Sequence, residues 1–355
     1  MKADAKYAAM CKLAGSVLLI AALIAADYTC SFARHITDMA GRTVTVPEKI
    51  TRVSADWAPV MYLMYAVDPR LLASINNPFP EKQREYLHPH VRKLPVVGGY
   101  FGQSATTDME SVLQVKPDVV IAEIFGDMAL NTKSEQALAK IGIPTLYVKI
   151  DTTGDYPDAF DFLGKLLVRE KRTRMLSAYG RSALREVSGV VEKIPRSQRP
   201  RVYYAEGITG LSTECRTSYH AELIGLAGAT NVHRCERGLF KTKGKEAISL
   251  EQVLRYDPDV IIAAEPLFYK QVFTDRRWRN IKAVRTKQVF CPPRLLFNWF
   301  DRPPSFMRFL GLKWLAHCLY PARYRLDIVQ EARSFYRLFF GIDIPADTMR
   351  RALHQ

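Results

Sequence analysis

Two stretches of the chain repeat the same order of polar and apolar positions. Residues 109–122 (MESVLQVKPDVVIA) and 250–263 (LEQVLRYDPDVIIA) match at a constant offset of 141 residues. Each stretch begins with apolar residues at helical spacing, is interrupted by a Pro-Asp pair, and ends in a continuous apolar run. A run that is apolar at every position is typical of a strand covered on both faces, as in a parallel sheet. The duplication predicts two similar α/β lobes.

Further apolar runs flank both copies of this repeat. Residues 50–54 precede the first copy and residues 199–204 precede the second, and each resembles the opening strand of a lobe. After the copies, residues 141–148 and 287–291 each give another apolar run. Strands that alternate with helices predict mainly parallel sheets with helices on both faces, and hence two Rossmann-like lobes.

Residues 158–193 separate the two predicted lobes, which cover residues 34–157 and 194–355. The separating stretch has apolar residues at helical spacing and no proline, so it predicts one extended helix or two joined helices. At 1.5 Å per residue, residues 170–193 alone would reach about 35 Å, the width of a small domain. We therefore expect a long rigid helix between the lobes, little hinge motion, and a ligand cleft where the lobes face each other.

The end of the chain is predicted to be helical and is rich in Lys and Arg. Apolar spacing predicts helices at 306–319, 326–340 and 346–353. A solvated basic face is favoured over a nucleic-acid surface, because no helix-turn-helix, zinc-finger or RNA-binding aromatic motif accompanies the charge.

Composition and charge narrow the class of protein without choosing a ligand. The chain has 355 residues, of which 48% are hydrophobic and 25% charged, so it has room for about two domains and is not a disordered chain. Its 51 Lys and Arg against 36 Asp and Glu give a formal net charge of +15. That charge is compatible with polyanion binding, with a membrane-facing surface or with an anionic small ligand.

The N-terminus predicts export. Lys2, Lys6 and Lys12 precede an uncharged apolar stretch at 13–26, which is shorter than the ~20 residues that span a bilayer as a helix. Small residues at both ends of Ser31-Phe32-Ala33 are typical of a signal-peptidase site. We expect a cleaved signal peptide over residues 1–33, with an uncleaved anchor as the alternative, and a periplasmic protein.

Four cysteines remain after removal of such a signal, and an oxidising compartment would allow them to pair. Cys215 and Cys235 lie in predicted loops on either side of a helical stretch, so a disulfide is predicted between them. Cys291 and Cys318 lie in apolar surroundings and are expected to be buried free thiols.

The duplicated lobes, the connecting helix and the export signal together resemble the class III (cluster A-I) solute-binding proteins of ABC importers. The phrase at 36–47 (ITDMAGRTVTVP) is similar to the start of that family, and each Pro-Asp-Val strand is similar to its counterpart there. The resemblance runs from about Ile36 to the C-terminus. It implies a monomeric binder of iron-siderophore, haem, cobalamin or related metal-chelate ligands that performs no chemistry, binds no nucleic acid and has no intrinsic cofactor.

The resemblance also implies docking on a transmembrane permease that works with an ATPase. The family uses one acidic residue on each lobe to meet arginines of the permease, and the corresponding residues here are Glu110 and Glu251. Two related positions suit a permease of two subunits. A role only as helix-start residues, favoured by the helix dipole, is the alternative.

Candidate ligand-binding residues are those expected in loops at the carboxyl ends of the strands. They are Trp57, Tyr100, Phe101, Tyr204, Trp299 and Arg302. Aromatic faces bury flat or greasy chelates well, although the same rings could belong to the lobe cores. Arg302 precedes two prolines that stiffen the backbone, and its guanidinium could bind a carboxylate or an oxoanion or could pair with Asp301.

The ligand itself stays open at the level of sequence. The phrases at 299–305 (WFDRPPS) and 311–316 (GLKWLA) resemble a subgroup described as iron-complex binders, with at least one relative that takes molybdate or tungstate. A ferric siderophore or related metal chelate is the leading expectation, and an oxoanion, haem or cobalamin is the alternative. An exported metallocluster enzyme and a polyanion-binding protein are the other classes considered.

Overall fold

The computed structural model describes residues 33–99, 109–124, 135–234 and 245–353, within which the strands form two parallel sheets and two small antiparallel ribbons. In chain order the strands are β1 (Ala33–Thr37), β2 (Thr43–Pro47), β3 (Val53–Ala55), β4 (Val119–Glu123), β5 (Thr145–Val148), β6 (Arg201–Ala205), β7 (Ser212–Thr213), β8 (Thr230–Asn231), β9 (Glu246–Ala247), β10 (Val260–Ala263) and β11 (Val289–Phe290). One parallel sheet has the order β3-β4-β5 and the other β11-β10-β6-β8, whereas β1-β2 and β7-β9 are the antiparallel ribbons. The predicted α/β fold with two lobes is confirmed.

Helices pack against both sheets. In chain order they are α1 (Ala58–Val67), α2 (Glu81–Arg84), α3 (Met109–Val115), α4 (135–140), α5 (Tyr156–Leu167), α6 (Glu170–Val191), α7 (Glu222–Leu226), α8 (Leu250–Tyr256), α9 (Pro266–Gln271), α10 (Lys282–Arg285), α11 (Arg308–Leu319), α12 (Ile328–Phe340) and α13 (Ala346–Leu353). Short 3-10 turns occur at Pro69–Leu71, Val91–Lys93, Thr153–Asp155, Arg196–Gln198 and Tyr219–Ala221. The three helices predicted at the end of the chain are α11, α12 and α13.

Both copies of the sequence repeat have the same local structure in separate sheets. A helix, α3 or α8, is followed by a residue in the left-handed region, Lys116 with φ 43° or Asp257 with φ 37°. The helix cannot continue through that conformation, and the proline that follows cannot rejoin it. The chain then enters β4 or β10, in which every residue is buried.

The aspartate of each Pro-Asp pair joins the strand to its neighbour. Asp118 Oδ2 accepts the backbone N–H of Arg52 at 2.9 Å, just before β3. At the equivalent place in the other lobe, Asp259 Oδ2 accepts the backbone N–H of Arg201 at 2.8 Å. The repeated residue therefore fixes the opening strand beside the repeated strand in both sheets.

The stretch between the lobes is two joined helices, which is one of the two arrangements predicted for it. Val168 has φ 54° and ends α5, and α6 begins at Glu170 after a tight reversal. The helices run antiparallel, since Arg181 in α6 pairs with Asp158 at 2.6 Å near the start of α5. The predicted connector over 158–193 thus covers most of α5 and all of α6, and α6, whose 22 residues span about 33 Å, is the long helix of the pair.

One hydrophobic core joins the lobes through the long helix and the C-terminal helices. Phe335 and Phe339 of α12 stack on each other, and Phe306 stacks on Phe339, next to α6. Phe340 of α12 also meets Tyr65 of α1 in the first lobe, at 5.8 Å between ring centroids. The C-terminal helices, predicted as part of the second lobe, thus pack against both lobes.

Part of the basic charge at the end of the chain is buried. Arg308 and Lys313 of α11 are 1% and 7% exposed and pair with carboxylates, Lys313 with Glu331 of α12 at 2.9 Å. A buried cation needs such a partner.

Among the helices of the described residues, none combines the length and the apolar character needed to span a bilayer.

Candidate ligand-binding site

The loops after the strands of the two sheets approach each other, since the hydroxyl of Thr153 after β5 donates to Glu222 of the second lobe at 2.7 Å, and we call the region between these loops the cleft. The first lobe contributes Asp56 and Trp57 after β3, and Glu123 at the end of β4. The second lobe contributes Glu206 directly after β6 and the segment 293–302 after β11. Carboxyl ends of parallel strands are the usual place for a ligand in doubly wound folds.

Two buried carboxyl groups lie on the first-lobe side of the cleft. Asp56 Oδ2 accepts the backbone N–H of Glu123 at 2.8 Å, and Glu123 Oε2 accepts the indole N–H of Trp57 at 2.7 Å. Burial raises the pKa of Asp56 well above its usual value, and burial together with the charge of Asp56 does the same for the pKa of Glu123. Both groups therefore tend to keep their protons, and Trp57 is oriented by a buried acid.

Arg302 lies on the second-lobe side among three buried carboxylates. It binds Glu206 through Nε at 2.7 Å and through Nη2 at 3.2 Å, and it also pairs with Glu214. Asp301 Oδ2 is 3.6 Å from Nε, and Nη1 donates to His220 Nε2 at 3.4 Å. Burial alone would lower the pKa of Arg302. The hydrogen bond to Glu206 and the charges of Asp301, Glu206 and Glu214 outweigh burial, so the pKa of Arg302 lies above its usual value.

The backbone of Arg302 is in an unusual conformation. Its φ of 58° lies in the left-handed region, which costs a branched or long side chain conformational energy. Such outliers persist where the surroundings hold them, and they cluster at functional sites. The side chain of Arg302 remains 31% exposed, so part of the guanidinium faces the cleft.

The segment that carries Arg302 is held by its own polar groups and by α11. Asn298 Oδ1 accepts the N–H of Phe300 at 2.9 Å and closes a turn before Asp301. Trp299 donates its indole N–H to the Tyr336 hydroxyl at 3.0 Å. A side chain on Gly311 would lie 1.9 Å from the carbonyl oxygen of Trp299, so only glycine lets α11 approach this closely.

A second buried arginine connects the cluster to the first lobe. Arg308 is 3.4 Å from Asp301 Oδ1 and 3.3 Å from Glu222 Oε2. The carboxylate of Glu222 in α7 accepts the N–H and the hydroxyl of Thr153 at 2.9 and 2.7 Å. Thr153 follows β5, so these bonds tie the end of the first lobe to the loops around Arg302.

Tyr204 and Trp299, two of the predicted ligand-binding residues, are core residues in this structure. Tyr204 of β6 is 1% exposed and its hydroxyl bonds Asp301 at 3.3 Å, beneath the polar cluster. Trp299 is 0% exposed. Both rings therefore belong to the core, which is the alternative stated for these aromatic residues.

Trp57 and Arg302 are the predicted residues that the structure brings to the cleft, one from each lobe. Trp57 is half-buried, and its indole is oriented by Glu123. Pairing with Asp301 was the alternative to ligand binding stated for Arg302. Arg302 does pair with Asp301, and it also pairs with Glu206 and Glu214. Tyr100 and Phe101 lie outside the described residues.

Several site residues were not predicted from the sequence. Glu214, Tyr219 and His220 belong to the segment after β7, nine or more residues beyond the end of β6 in the chain. His220 Nδ1 lies 2.7 Å from Asp301 Oδ1, and its ring stacks on Tyr219 with centroids 4.0 Å apart. A loop that returns through a short ribbon to the strand end has no periodic signal, so spacing alone could not have found it.

The two predicted docking residues occupy equivalent places. Glu110 is in the first turn of α3 and Glu251 is in the first turn of α8, and both side chains are exposed. Their position at helix starts also fits the alternative role at the helix dipole. Docking stays a prediction.

The cysteines divide into paired and free residues. Cys215 is disulfide-bonded, and Cys235, its predicted partner, lies outside the described residues. Cys291 and Cys318 are free thiols, as expected, but they are half-buried rather than fully buried, and burial raises their pKa values to about 11 and about 12. These two thiols are therefore protonated and poorly nucleophilic at neutral pH.

Comparison with known proteins decides the family. The family model described as a periplasmic binding protein matches residues 64–294 of this chain, which include strands of both parallel sheets. The chain belongs to the periplasmic binding protein family. The predicted resemblance to class III solute-binding proteins is thereby confirmed.

Individual relatives agree over nearly the whole length of this periplasmic binding protein. An ABC transporter solute binding protein from Sulfurospirillum deleyianum is 38% identical, covers 91% of this chain and 99% of its own, and superposes with a TM-score of 0.83. The molybdate-binding protein MolA of Haemophilus influenzae is 24% identical over 94% of this chain and 99% of its own. The solved structure of MolA bound to molybdate covers 88% of this chain and 99% of its own, with 21% identity and a TM-score of 0.70.

A more distant neighbour shares the fold alone. The periplasmic vitamin B12 binding protein BtuF of Vibrio cholerae is 18% identical, covers 78% of this chain and 99% of its own, and has a TM-score of 0.58. Proteins of this fold thus include binders of molybdate and of vitamin B12.

Proposed function

We propose that this protein is the exported substrate-binding component of an ABC importer, and that it carries a small metal-containing ligand rich in oxygen acceptors to a permease and its ATPase. Family membership supports the transport role. The proposed ligand class rests on the partly exposed guanidinium of Arg302 at the cleft. The two forms of ligand considered are a metal oxoanion and a ferric chelate.

Arg302 is suited to orient a ligand by directed hydrogen bonds. Its Nε and Nη2 are occupied by Glu206 and Glu214, and Nη1 gives one hydrogen to His220. The other Nη1 hydrogen has no partner among the described residues, and the guanidinium is partly open to the cleft. Because the buried glutamates already offset its charge, we expect Arg302 to act as a fixed donor rather than as an isolated positive charge.

A metal oxoanion is supported by the likeness to MolA along almost the whole chain. A ferric chelate is supported by Trp57, a half-buried indole beside the cleft that offers a flat apolar face to a larger ligand. Haem and cobalamin are further alternatives within the same fold.

Thermal unfolding with a ligand panel tests this function. Purified mature protein would be melted with sodium molybdate, sodium tungstate, ferric citrate, a ferric tris(catecholate), haemin and cyanocobalamin. At a hundred times Kd, a bound ligand adds about 2.7 kcal/mol to the free energy of unfolding. A shift with molybdate, tungstate, ferric citrate or the ferric tris(catecholate) supports the proposal, whereas a shift only with haemin or cyanocobalamin, or no shift at all, contradicts the ligand class.

Arg302→Lys tests the guanidinium directly. Lysine keeps the positive charge beside Glu206 and Glu214 but cannot bind a carboxylate in two places and still present a directed N–H to the cleft. We expect the dissociation constant of the bound ligand to rise about 10- to 100-fold by isothermal titration calorimetry. Arg277→Lys, at an exposed arginine paired with Asp275, is the matched control and should bind like the unsubstituted protein.

A further inference from the structure

Tyr219 is fixed by the same polar groups that hold Arg302. Ser218, which precedes it, donates its hydroxyl to Glu214 Oε2 at 2.8 Å and accepts the N–H of His220 at 3.2 Å. Arg308 Nη2 donates to the carbonyl oxygen of Tyr219 at 2.7 Å. The backbone on both sides of Tyr219 is therefore anchored to buried charged groups.

The ring of Tyr219 has a defined orientation, and its hydroxyl is unused. The ring stacks on the imidazole of His220 with an interplanar angle of 35°, and His220 is itself fixed by Asp301 at 2.7 Å. The side chain is only partly buried. Within the described part of the chain, the phenolic oxygen has no hydrogen-bond partner.

Charged groups of both lobes act on this hydroxyl. Burial, and then the charges of Asp301 and Glu123, raise the pKa of Tyr219 to about 12, while Arg308 and Arg302 oppose the shift. Glu123 belongs to the first lobe and the other three residues to the second, so charged groups on both sides of the cleft surround Tyr219. A phenol in this environment stays protonated at neutral pH and acts as a hydrogen-bond donor.

We propose that Tyr219 contacts the bound ligand and determines specificity by donating its O–H to an acceptor oxygen, next to the open N–H of Arg302. This inference rests on the proposed function and narrows it. The two donors select ligands that present outward oxygen atoms, namely the oxo groups of an oxoanion or the peripheral oxygens of a ferric chelate. Tyr219 is then a donor to the ligand and does not coordinate the metal.

Tyr219→Phe removes the hydroxyl and keeps the ring that stacks on His220. We would measure dissociation constants by isothermal titration calorimetry with sodium molybdate and with ferric citrate. For each probe that binds the unsubstituted protein, we expect the variant to bind about 10- to 100-fold more weakly with an unchanged melting temperature in the absence of ligand. Tyr269→Phe, in α9 of the second lobe, is the matched control and should leave the dissociation constant unchanged, because Tyr269 lines a separate recess with Trp314 and Leu353.

Equal affinity of Tyr219→Phe and the unsubstituted protein overturns the inference while leaving the transport function in place. Failure of the unsubstituted protein to bind any of molybdate, tungstate, ferric citrate and the ferric tris(catecholate) overturns the proposed ligand class itself, so the two failures are distinct. Visible absorption with ferric citrate, compared between the unsubstituted protein and Tyr219→Phe, adds a spectroscopic measurement. A phenolate-to-iron charge-transfer band that Tyr219→Phe abolishes would show metal coordination by Tyr219 and overturn the donor role, whereas spectra without such a difference support it.

Discussion

Asp56 is a fully buried carboxyl group with one oxygen that has no partner among the described residues. Its Oδ2 accepts the N–H of Glu123, but Oδ1 is left without a hydrogen bond. An ionised carboxylate in that position would be strongly disfavoured, which is why burial raises the pKa of Asp56. The neutral acid is the form that the fold accommodates.

This leads to a prediction for stability against pH. Below the unfolded pKa of about 3.9, Asp56 is protonated in both the folded and the unfolded state, so its ionisation does not lower the free energy of unfolding. Above it, the unfolded chain loses the proton and the folded chain keeps it, so the free energy of unfolding falls as pH rises towards the raised folded pKa. Asp56→Asn removes this loss and keeps an acceptor for Glu123. We expect the variant to gain on the order of 1–3 kcal/mol relative to the unsubstituted protein between pH 4 and pH 8, measured by urea unfolding.

Asp56→Ala is the control for that comparison. It removes the charge and also the acceptor of the Glu123 N–H, so it should be less stable than Asp56→Asn at every pH by about 1–3 kcal/mol. A constant difference between Asp56→Asn and the unsubstituted protein from pH 4 to pH 8 would contradict the assignment of a protonated acid.

At the residue scale, the sequence predicted the site only in part. Trp57 and Arg302 could be assigned to the cleft because each lies in a loop that follows a predicted strand. Trp299 could not be assigned to cleft or core, because neighbouring aromatic residues in a loop have no periodicity that shows which side is buried. Tyr219 was missed since its role depends on a loop that returns from β7 to Arg302.

Among the elements, α11 matters most for the site because it supports the segment that carries Arg302. Gly311 allows the carbonyl of Trp299 to lie against the helix, and the methyl group of an alanine would lie 1.9 Å from that oxygen. Backbone cannot yield cheaply at such a distance, so either the helix or the segment 293–302 must move.

Gly311→Ala is therefore expected to destabilise the protein, and Gly189→Ala to do the opposite. Overpacking at Gly311 should cost about 1–3 kcal/mol and weaken ligand binding by displacing Arg302. Gly189 in α6 has nothing within 4 Å of the position of an added Cβ, so alanine there should add up to about 1 kcal/mol through helix propensity. Thermal unfolding of both variants, with calorimetric titration of ligand, checks the pair; equal effects of the two substitutions would contradict the close approach at Gly311.

The elements themselves were largely predictable, and the exceptions have local causes. The Pro-Asp repeat predicted both central strands because the proline stops the helix and the aspartate binds the neighbouring strand. The position of the break between α5 and α6 was not predictable, because Val168 in a left-handed conformation has no sequence signal of the kind that glycine or asparagine gives. The antiparallel packing of these helices then depends on Gly164, where a side chain would meet Thr173 Oγ1 at 2.0 Å.

On the scale of the whole molecule, the lobes are joined by more than a single connecting helix. Phe297 of the segment after β11 stacks on Tyr62 of α1 at 3.8 Å, and Glu222 binds Thr153 across the junction. An aromatic core that extends through both lobes resists large domain rotation, since rotation would expose it to water. We infer that the relative position of α3 and α8 changes little when a ligand enters the cleft.

Such a fixed spacing makes the docking prediction specific. Glu110 and Glu251 lie at equivalent positions of the repeat, in exposed first turns of α3 and α8. If they meet arginines of two permease subunits, Glu110→Ala and Glu251→Ala should each lower ATP-dependent uptake of the ligand by about tenfold, as expected when a charged contact at an interface is lost. The double variant should lower it further, and the dissociation constant of the ligand should stay unchanged in every case.

Glu170→Ala separates docking from a helix-start effect. Glu170 is also an exposed glutamate in the first turn of a helix, α6, so its loss removes the same interaction with the helix dipole but leaves the predicted docking residues intact. Uptake into proteoliposomes that contain the cognate permease and ATPase should be normal with Glu170→Ala and impaired with the other two variants. Equal impairment by all three, or loss of ligand affinity in Glu110→Ala or Glu251→Ala with the fold preserved, would remove the case for docking through these residues.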